Sequence, residues 1–127
     1  MVLVDTSVWI DYFSKASLEV TREIHLLVDT REVATCGVII GELLAGADEQ
    51  TQSDIMKLTG VSAILKGTPQ TWMNAGILSS RLRKLGKQIG LIDCYLATIS
   101  NENGILLWSF DKHFDQIPSL KRYPKRR

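Results

Sequence analysis

Apolar and polar positions along this chain fall in blocks that predict short buried strands separated by helices. Val2-Leu3-Val4 is an apolar run ending on Asp5-Thr6-Ser7, after which Val8, Trp9, Tyr12 and Phe13 recur at helical spacing. That reads as a strand feeding a helix, with all three polar side chains able to accept from its free N-terminal amides. Residues 18–28 predict a second helix with Leu18, Ile24, Leu27 and Val28 as its apolar face. Residues 33–36 predict a second strand, 38–47 a helix packed on most sides, 48–58 a polar helix and 61–65 a weak third strand. Pro69 is placed for the first turn of a long helix whose apolar residues are Trp72, Ala75, Leu78, Leu82 and Leu85. Gly86 and Gly90 bound a short loop. Leu91 to about Asn101 is then a helix, ended by Asn103-Gly104, a pair suited to a left-handed cap. Ile105-Leu106-Leu107-Trp108 is the clearest buried strand, 111–114 a turn or short helix, and 120–123 an edge strand. Strands separated by helices pair in parallel and are covered on both faces. The expected fold is a single three-layer α/β domain with a short central parallel sheet.

Composition narrows the class. A length of 127 residues suits one domain, and 45% hydrophobic with 23% charged residues excludes a disordered body. No apolar run approaches the ~20 residues of a membrane helix, and no basic residue precedes the first apolar run as in a signal peptide. Cys36 and Cys94 sit in apolar segments without CxxC spacing, which predicts small buried thiols, no structural zinc and a cytoplasmic location. The net charge of +1 hides an asymmetry. Five of the fifteen bases and none of the fourteen acids lie in residues 121–127, leaving a body of −4 with a basic tail. Such a tail serves an anionic partner or merely keeps the end soluble.

The chemistry lies in where the acids stand. Asp5 is the one charge in residues 1–10, Glu42 the one charge in 37–47, and Asp93 the one charge in 88–101. An ionised carboxylate in an apolar setting costs several kcal/mol unless compensated, and no neighbouring Lys or Arg in sequence supplies the partner. Each acid has a plainer role available: Asp5 as a helix cap, Asp93 in a helix first turn, Glu42 with a distant arginine, Asp111 in a turn. Together they say more. Asp5 and Asp111 follow strands at the edge where open parallel sheets bind ligands, and a helix starting there puts Asp93 on the same side. Converging carboxylates call for a hard divalent cation, and an all-oxygen set favours magnesium or manganese over zinc. His113, beside Phe114, reads as packing or surface, and Trp9, Trp72 and Trp108 as core. There is no GxxxxGK[ST] and no GxGxxG.

The segments 2–11 (VLVDTSVWID), 41–46 (GELLAG), 89–93 (IGLID) and 106–114 (LLWSFDKHF) resemble PIN-domain nucleases, and more narrowly the VapC toxins of toxin–antitoxin modules. The resemblance runs in order along nearly the whole chain. It implies a Mg2+- or Mn2+-dependent endoribonuclease with an RNA substrate, a cognate antitoxin protein and a homodimeric state. The family's acidic cluster carries over onto Asp5, Glu42, Asp93 and Asp111, with Asp115 close by as an alternative to the last. Thr6 and Ser7 would hold the first acid's loop, and Ser109 takes the place of a small hydroxyl residue near the last acid. Arg81, Arg83, Lys84 and Lys87, with Lys121 and Arg122 of the tail, are candidate contacts to RNA phosphates. Residues 48–70 depart most from the family pattern. A phospho-receiver domain would carry an aspartate after its central strand, where Lys66-Gly67-Thr68 stands, and an Asp-x-Asp phosphatase fails on Ser7. The remaining rival is a non-catalytic binding module on the same fold.

Overall fold

The computed structural model of the chain describes residues 1–124; Lys125, Arg126 and Arg127 of the basic tail lie outside the described residues. The elements run β1 (Val2–Val4), α1 (Thr6–Ser14), α2 (Leu18–Asp29), β2 (Val33–Cys36), α3 (Gly37–Ala45), α4 (Glu49–Gly60), β3 (Ala63–Leu65), α5 (Pro69–Lys84), α6 (Leu91–Glu102) and β4 (Leu106–Trp108). A short 3-10 turn follows over Lys112–Gln116. All strand pairs are parallel, in the order β3-β2-β1-β4. The chain therefore moves outward from β1 through β2 to β3, then returns to the far side of β1 for β4. That reversal opens a crevice at the C-terminal ends of β1 and β4, the position where open α/β sheets bind ligands.

β1 and β2 are buried at every position because helices cover both faces, whereas β3 lies at the edge and is only partly buried. The principal helix contacts form two groups, α1 with α2 and α3, and α3 with α4, against α5 with α6. Leu3, Val4, Val8, Ile24, Ile39 and Leu107 are fully buried between them. Starts and stops follow local chemistry. Ser17 caps α2 through the Val20 amide, and Asp48 caps α4 through the Thr51 amide at 2.8 Å. Thr68 and Thr71 form a reciprocal capping box on either side of Pro69. Gly104, at a φ of 63°, ends α6 as its Asn-Gly pair predicts. Cys36 and Cys94 are buried free thiols.

Several expectations change on folding. Leu18 is exposed, and the buried stripe of α2 is Val20, Ile24 and Leu27. The stripe of α5 is Thr71, Ala75, Ser79 and Leu82; Leu85 is exposed, and Trp72 is partly exposed with its ring stacked on Tyr95 at 4.0 Å. Polar side chains enter that stripe because each finds a partner: Thr71 Oγ1 donates to Glu102 Oε2 at 2.9 Å, and Ser79 Oγ to the Ile89 carbonyl at 3.2 Å. α3, expected to be packed on most sides, buries only Ile39 fully and leaves Gly41, Glu42 and Ala45 in solvent. The expected edge strand at 120–123 is reduced to one parallel bridge between Leu107 and Arg122, because Leu107 alone offers both its amide and its carbonyl to that segment.

Candidate active site

β1 delivers Asp5 to the switch-point crevice, where its amide donates to the Trp108 carbonyl at 2.8 Å and ties the ends of β1 and β4 together. Asp5 occupies the N-cap position of α1, yet its carboxylate does not cap the helix. It turns across the sheet edge instead. Asp5 Oδ2 accepts from Ser109 Oγ at 2.6 Å and from Ser7 Oγ at 3.2 Å, and the residue is 8% exposed. Ser109 is the hub: its Oγ also accepts the Asp111 amide at 3.0 Å, while Ser7 Oγ accepts the Phe110 amide at 3.1 Å. Two hydroxyls thus fix the first acid and the loop carrying the last.

The other acids arrive from three elements. Glu42, on the exposed side of α3, accepts from Thr6 Oγ1 at 3.2 Å. Asp93 lies in the first turn of α6, where free amides favour a negative group. Asp111 caps the 3-10 turn through the His113 amide at 2.9 Å, and His113 Nδ1 lies 3.2 Å from the same Asp111 oxygen. One ligating atom each from Asp93, Asp111 and His113 lie within 4.8 Å of one another. Burial pushes the Asp93 carboxyl above its usual value, and the charges of Asp111, Asp5 and Glu42 push it further, against a smaller opposing effect of His113. Asp93 thus feels all three of the other acids.

Among the described residues, no Lys or Arg pairs with Asp5, Glu42, Asp93 or Asp111; the ion pair made by an arginine joins Arg122 to Asp115 at 2.8 Å. Crowded carboxylates with unspent negative charge and solvent access fit a divalent cation, which would hold them together without a base.

The PIN domain family model matches residues 2–120. The chain belongs to the PIN-domain family. Ribonuclease VapC11 of Mycobacterium tuberculosis is 30% identical over 127 residues, an alignment spanning 94% of this chain and 93% of that protein. Among solved structures, VapBC2 from Rickettsia felis, bound to a DNA fragment from its promoter, superposes with a TM-score of 0.81 at 21% identity, covering 96% and 97% of the two chains. VapBC-1 from nontypeable Haemophilus influenzae gives 0.77 at 21% identity, covering 96% of each. The three-layer α/β/α architecture of this PIN domain is the one those structures share.

The candidate RNA-contacting bases of this PIN domain divide into two sets. Arg81, Arg83 and Lys84 are exposed at the end of α5, and Arg83 and Lys87 border a recess shared with Gly90, the residue ahead of α6. Lys87 also donates to the Gln116 carbonyl at 3.3 Å, and Lys121 is exposed. Arg122, expected to face RNA, is instead engaged by protein: Nη1 donates to Asp115, Nη2 donates to the Ser109 carbonyl at 2.7 Å, and the guanidinium lies over Phe114. That pairing uses the charge of Asp115, the alternative fourth acid. His113, which the sequence suggested was packing or surface, is exposed and stands against Asp111. The available signal was the Asp-x-His spacing, since a carboxylate that accepts the amide two residues on brings the backbone of that residue beside it.

Proposed function

We propose that this PIN domain, the whole of residues 1–127 acting as one nuclease domain with a basic tail, is a divalent-metal-dependent endoribonuclease and the toxin of a toxin–antitoxin pair. What supports the reading is the close approach of Asp93, Asp111 and His113, with the charges of Asp5 and Glu42 acting on Asp93 and no paired Lys or Arg among the described residues. Its relatives are named VapC ribonucleases, and solved relatives of the fold are VapBC assemblies. The partners that follow are an RNA substrate, a cognate antitoxin and a second copy of the chain, in the cytoplasm.

Asp5, Asp93 and Asp111 would hold the cation with Glu42 as a fourth carboxylate, and His113 would add one nitrogen that moves the preference from Mg2+ toward Mn2+. A bound divalent cation supplies there the positive charge that draws in a phosphodiester and acidifies the attacking water. The chain's own residues do the positioning. Ser7 and Ser109 hold Asp5 in one orientation, Thr6 holds Glu42, and the α6 first turn holds Asp93. Arg81, Arg83, Lys84, Lys87 and Lys121 steer the RNA backbone toward the crevice.

Purified protein with a mixed RNA substrate tests this. Cleavage should need Mg2+ or Mn2+, stop in EDTA, and vanish in Asp5→Ala and Asp93→Asn, and the parent but not Asp5→Ala should arrest bacterial growth when expressed alone. Cleavage undiminished in EDTA would refute the metal. RNA or protein binding without cleavage in either metal would leave a non-catalytic binding module.

A further inference from the structure

Its charge places Arg122 among the RNA-facing bases, yet its guanidinium is already engaged within the protein. Both terminal nitrogens are taken, one by Asp115 Oδ1 at 2.8 Å and one by the Ser109 carbonyl at 2.7 Å. The plane rests over the Phe114 ring at 5.6 Å, and Phe114 is itself buried. The backbone is pinned on both sides of it: the Leu107 amide donates to the Lys121 carbonyl at 3.0 Å, and the Tyr123 amide to the Leu107 carbonyl at 2.8 Å. The Tyr123 hydroxyl then donates to Glu23 on α2. The segment 120–123 is a strap laid along β4, and Arg122 is its one reach into the crevice.

What it reaches is the residue on which the acidic centre hangs. Ser109 donates its hydroxyl to Asp5, accepts the Asp111 amide on the same oxygen, and accepts from Arg122 at its carbonyl. We infer that Arg122 is a positioning residue of the metal centre: it fixes the Ser109 peptide, through Ser109 the separation of Asp5 from Asp111, and through Asp115 and Phe114 the turn that presents Asp111 and His113. The inference rests on the proposed metal-dependent reading. A guanidinium suits this place because its planar fork holds a carboxylate and a carbonyl in fixed directions, whereas an ammonium's donors rotate freely on a flexible stem.

The test measures Mn2+ binding directly, by the loss of the free Mn2+ electron paramagnetic resonance signal, alongside RNA affinity in EDTA at several salt concentrations. The proteins are the parent, Arg122→Lys, Arg122→Ala and Asp115→Asn. Residues that orient metal ligands cost 10–100-fold in affinity when lost, and Arg122 acts one bond further out, so Arg122→Ala should weaken Mn2+ about tenfold. Arg122→Lys should recover part of that, and Asp115→Asn, which keeps the arginine but turns its ion pair into a weaker neutral-acceptor bond, should also weaken Mn2+. RNA affinity in EDTA and its salt slope should stay at the parent's values in all three. Should Arg122→Ala prove unfolded, Asp115→Asn and Arg122→Lys still decide. An RNA contact gives the opposite pattern: Mn2+ affinity unchanged, RNA weakened by Arg122→Ala, and RNA strengthened by Asp115→Asn, which removes a competing acid. Parent-like Mn2+ affinity in Asp115→Asn and Arg122→Lys overturns the positioning role alone, whereas a parent that binds no Mn2+ overturns the metal reading with it.

Discussion

Removing charge from the acidic crevice should stabilise the metal-free protein at one acid and destabilise it at another. Asp93 is half-buried, and burial together with Asp111, Asp5 and Glu42 raises its carboxyl above the ordinary value. A carboxyl raised in the folded state works opposite to an ion-paired one. Metal-free stability falls as pH climbs from the unfolded value through the raised folded value, and the full penalty is present at neutral pH. Asp93 and Asp111 offer oxygens no more than 4.8 Å apart. Like charges at that distance repel by about 3.5 kcal/mol at an effective dielectric of 20 and about 1 kcal/mol in water, and the solvent access of both favours the lower figure. Asp93→Asn should therefore raise the Tm in EDTA at pH 7 by about 3–5 °C for a chain of this size. Asp5→Ala relieves similar crowding but strips the acceptor from Ser109 and Ser7 at a buried position. Orphaned donors cost about 1–3 kcal/mol, so the Tm of that variant should fall. Thermal unfolding followed by circular dichroism, from pH 3.5 to pH 8 in EDTA, measures both. The Asn variant's advantage should shrink as the pH falls through the raised folded value and be lost only below the ordinary carboxylate value, where the parent's carboxyl is protonated in both states. An advantage undiminished at pH 3.5, or none at pH 7, would refute charge crowding as its origin; a stabilised Asp5→Ala would refute the role given to the serines.

Ser109→Ala should lower the single-turnover RNA cleavage rate at saturating metal by about 10–100-fold while leaving RNA affinity in EDTA unchanged, because the buried hydroxyl is spent on Asp5 and the Asp111 amide. Deleting Pro124–Arg127 removes three bases and spares Arg122, so RNA binding should weaken and its log–log salt slope flatten by about 2, with the saturated cleavage rate kept within a few-fold. Gly67→Ala should destabilise the fold by about 1–3 kcal/mol in chemical denaturation, because the new methyl would strike the Tyr95 ring that supports Trp72.

The elements and the acids were legible in the sequence because both are written in local pattern. Buried parallel strands need unbroken apolar runs, and Val2–Val4 and Leu106–Trp108 have them; the helix punctuation at Pro69 and at Asn103-Gly104 is equally local. Helix faces were less legible. Trp72 and Leu85 fit the apolar stripe of α5 by spacing, but Thr71 and Ser79 fill the interface with α6, since Glu102 and the Ile89 carbonyl accept their protons. Periodicity weighs hydrophobicity and cannot see a partner 31 residues away. Arg122 escaped for the same reason: a count of charges places it in a basic tail, and only the bridge to Leu107 brings it against Asp115 and Ser109.

Asp5 shows what sequence logic can and cannot reach at such a site. An isolated carboxylate in an apolar run demands compensation, and a helix cap met that demand on the sequence alone. In the structure the compensation comes from two neutral hydroxyls instead of amides or a base. Neutral donors offset the loss of water around the carboxylate but leave its negative charge in place, where an arginine would have cancelled it. The same holds for Glu42, met by the hydroxyl of Thr6. Hydroxyls set the geometry of these acids while preserving the field that a divalent cation requires, so the serines and the threonine keep the site charged as well as ordered.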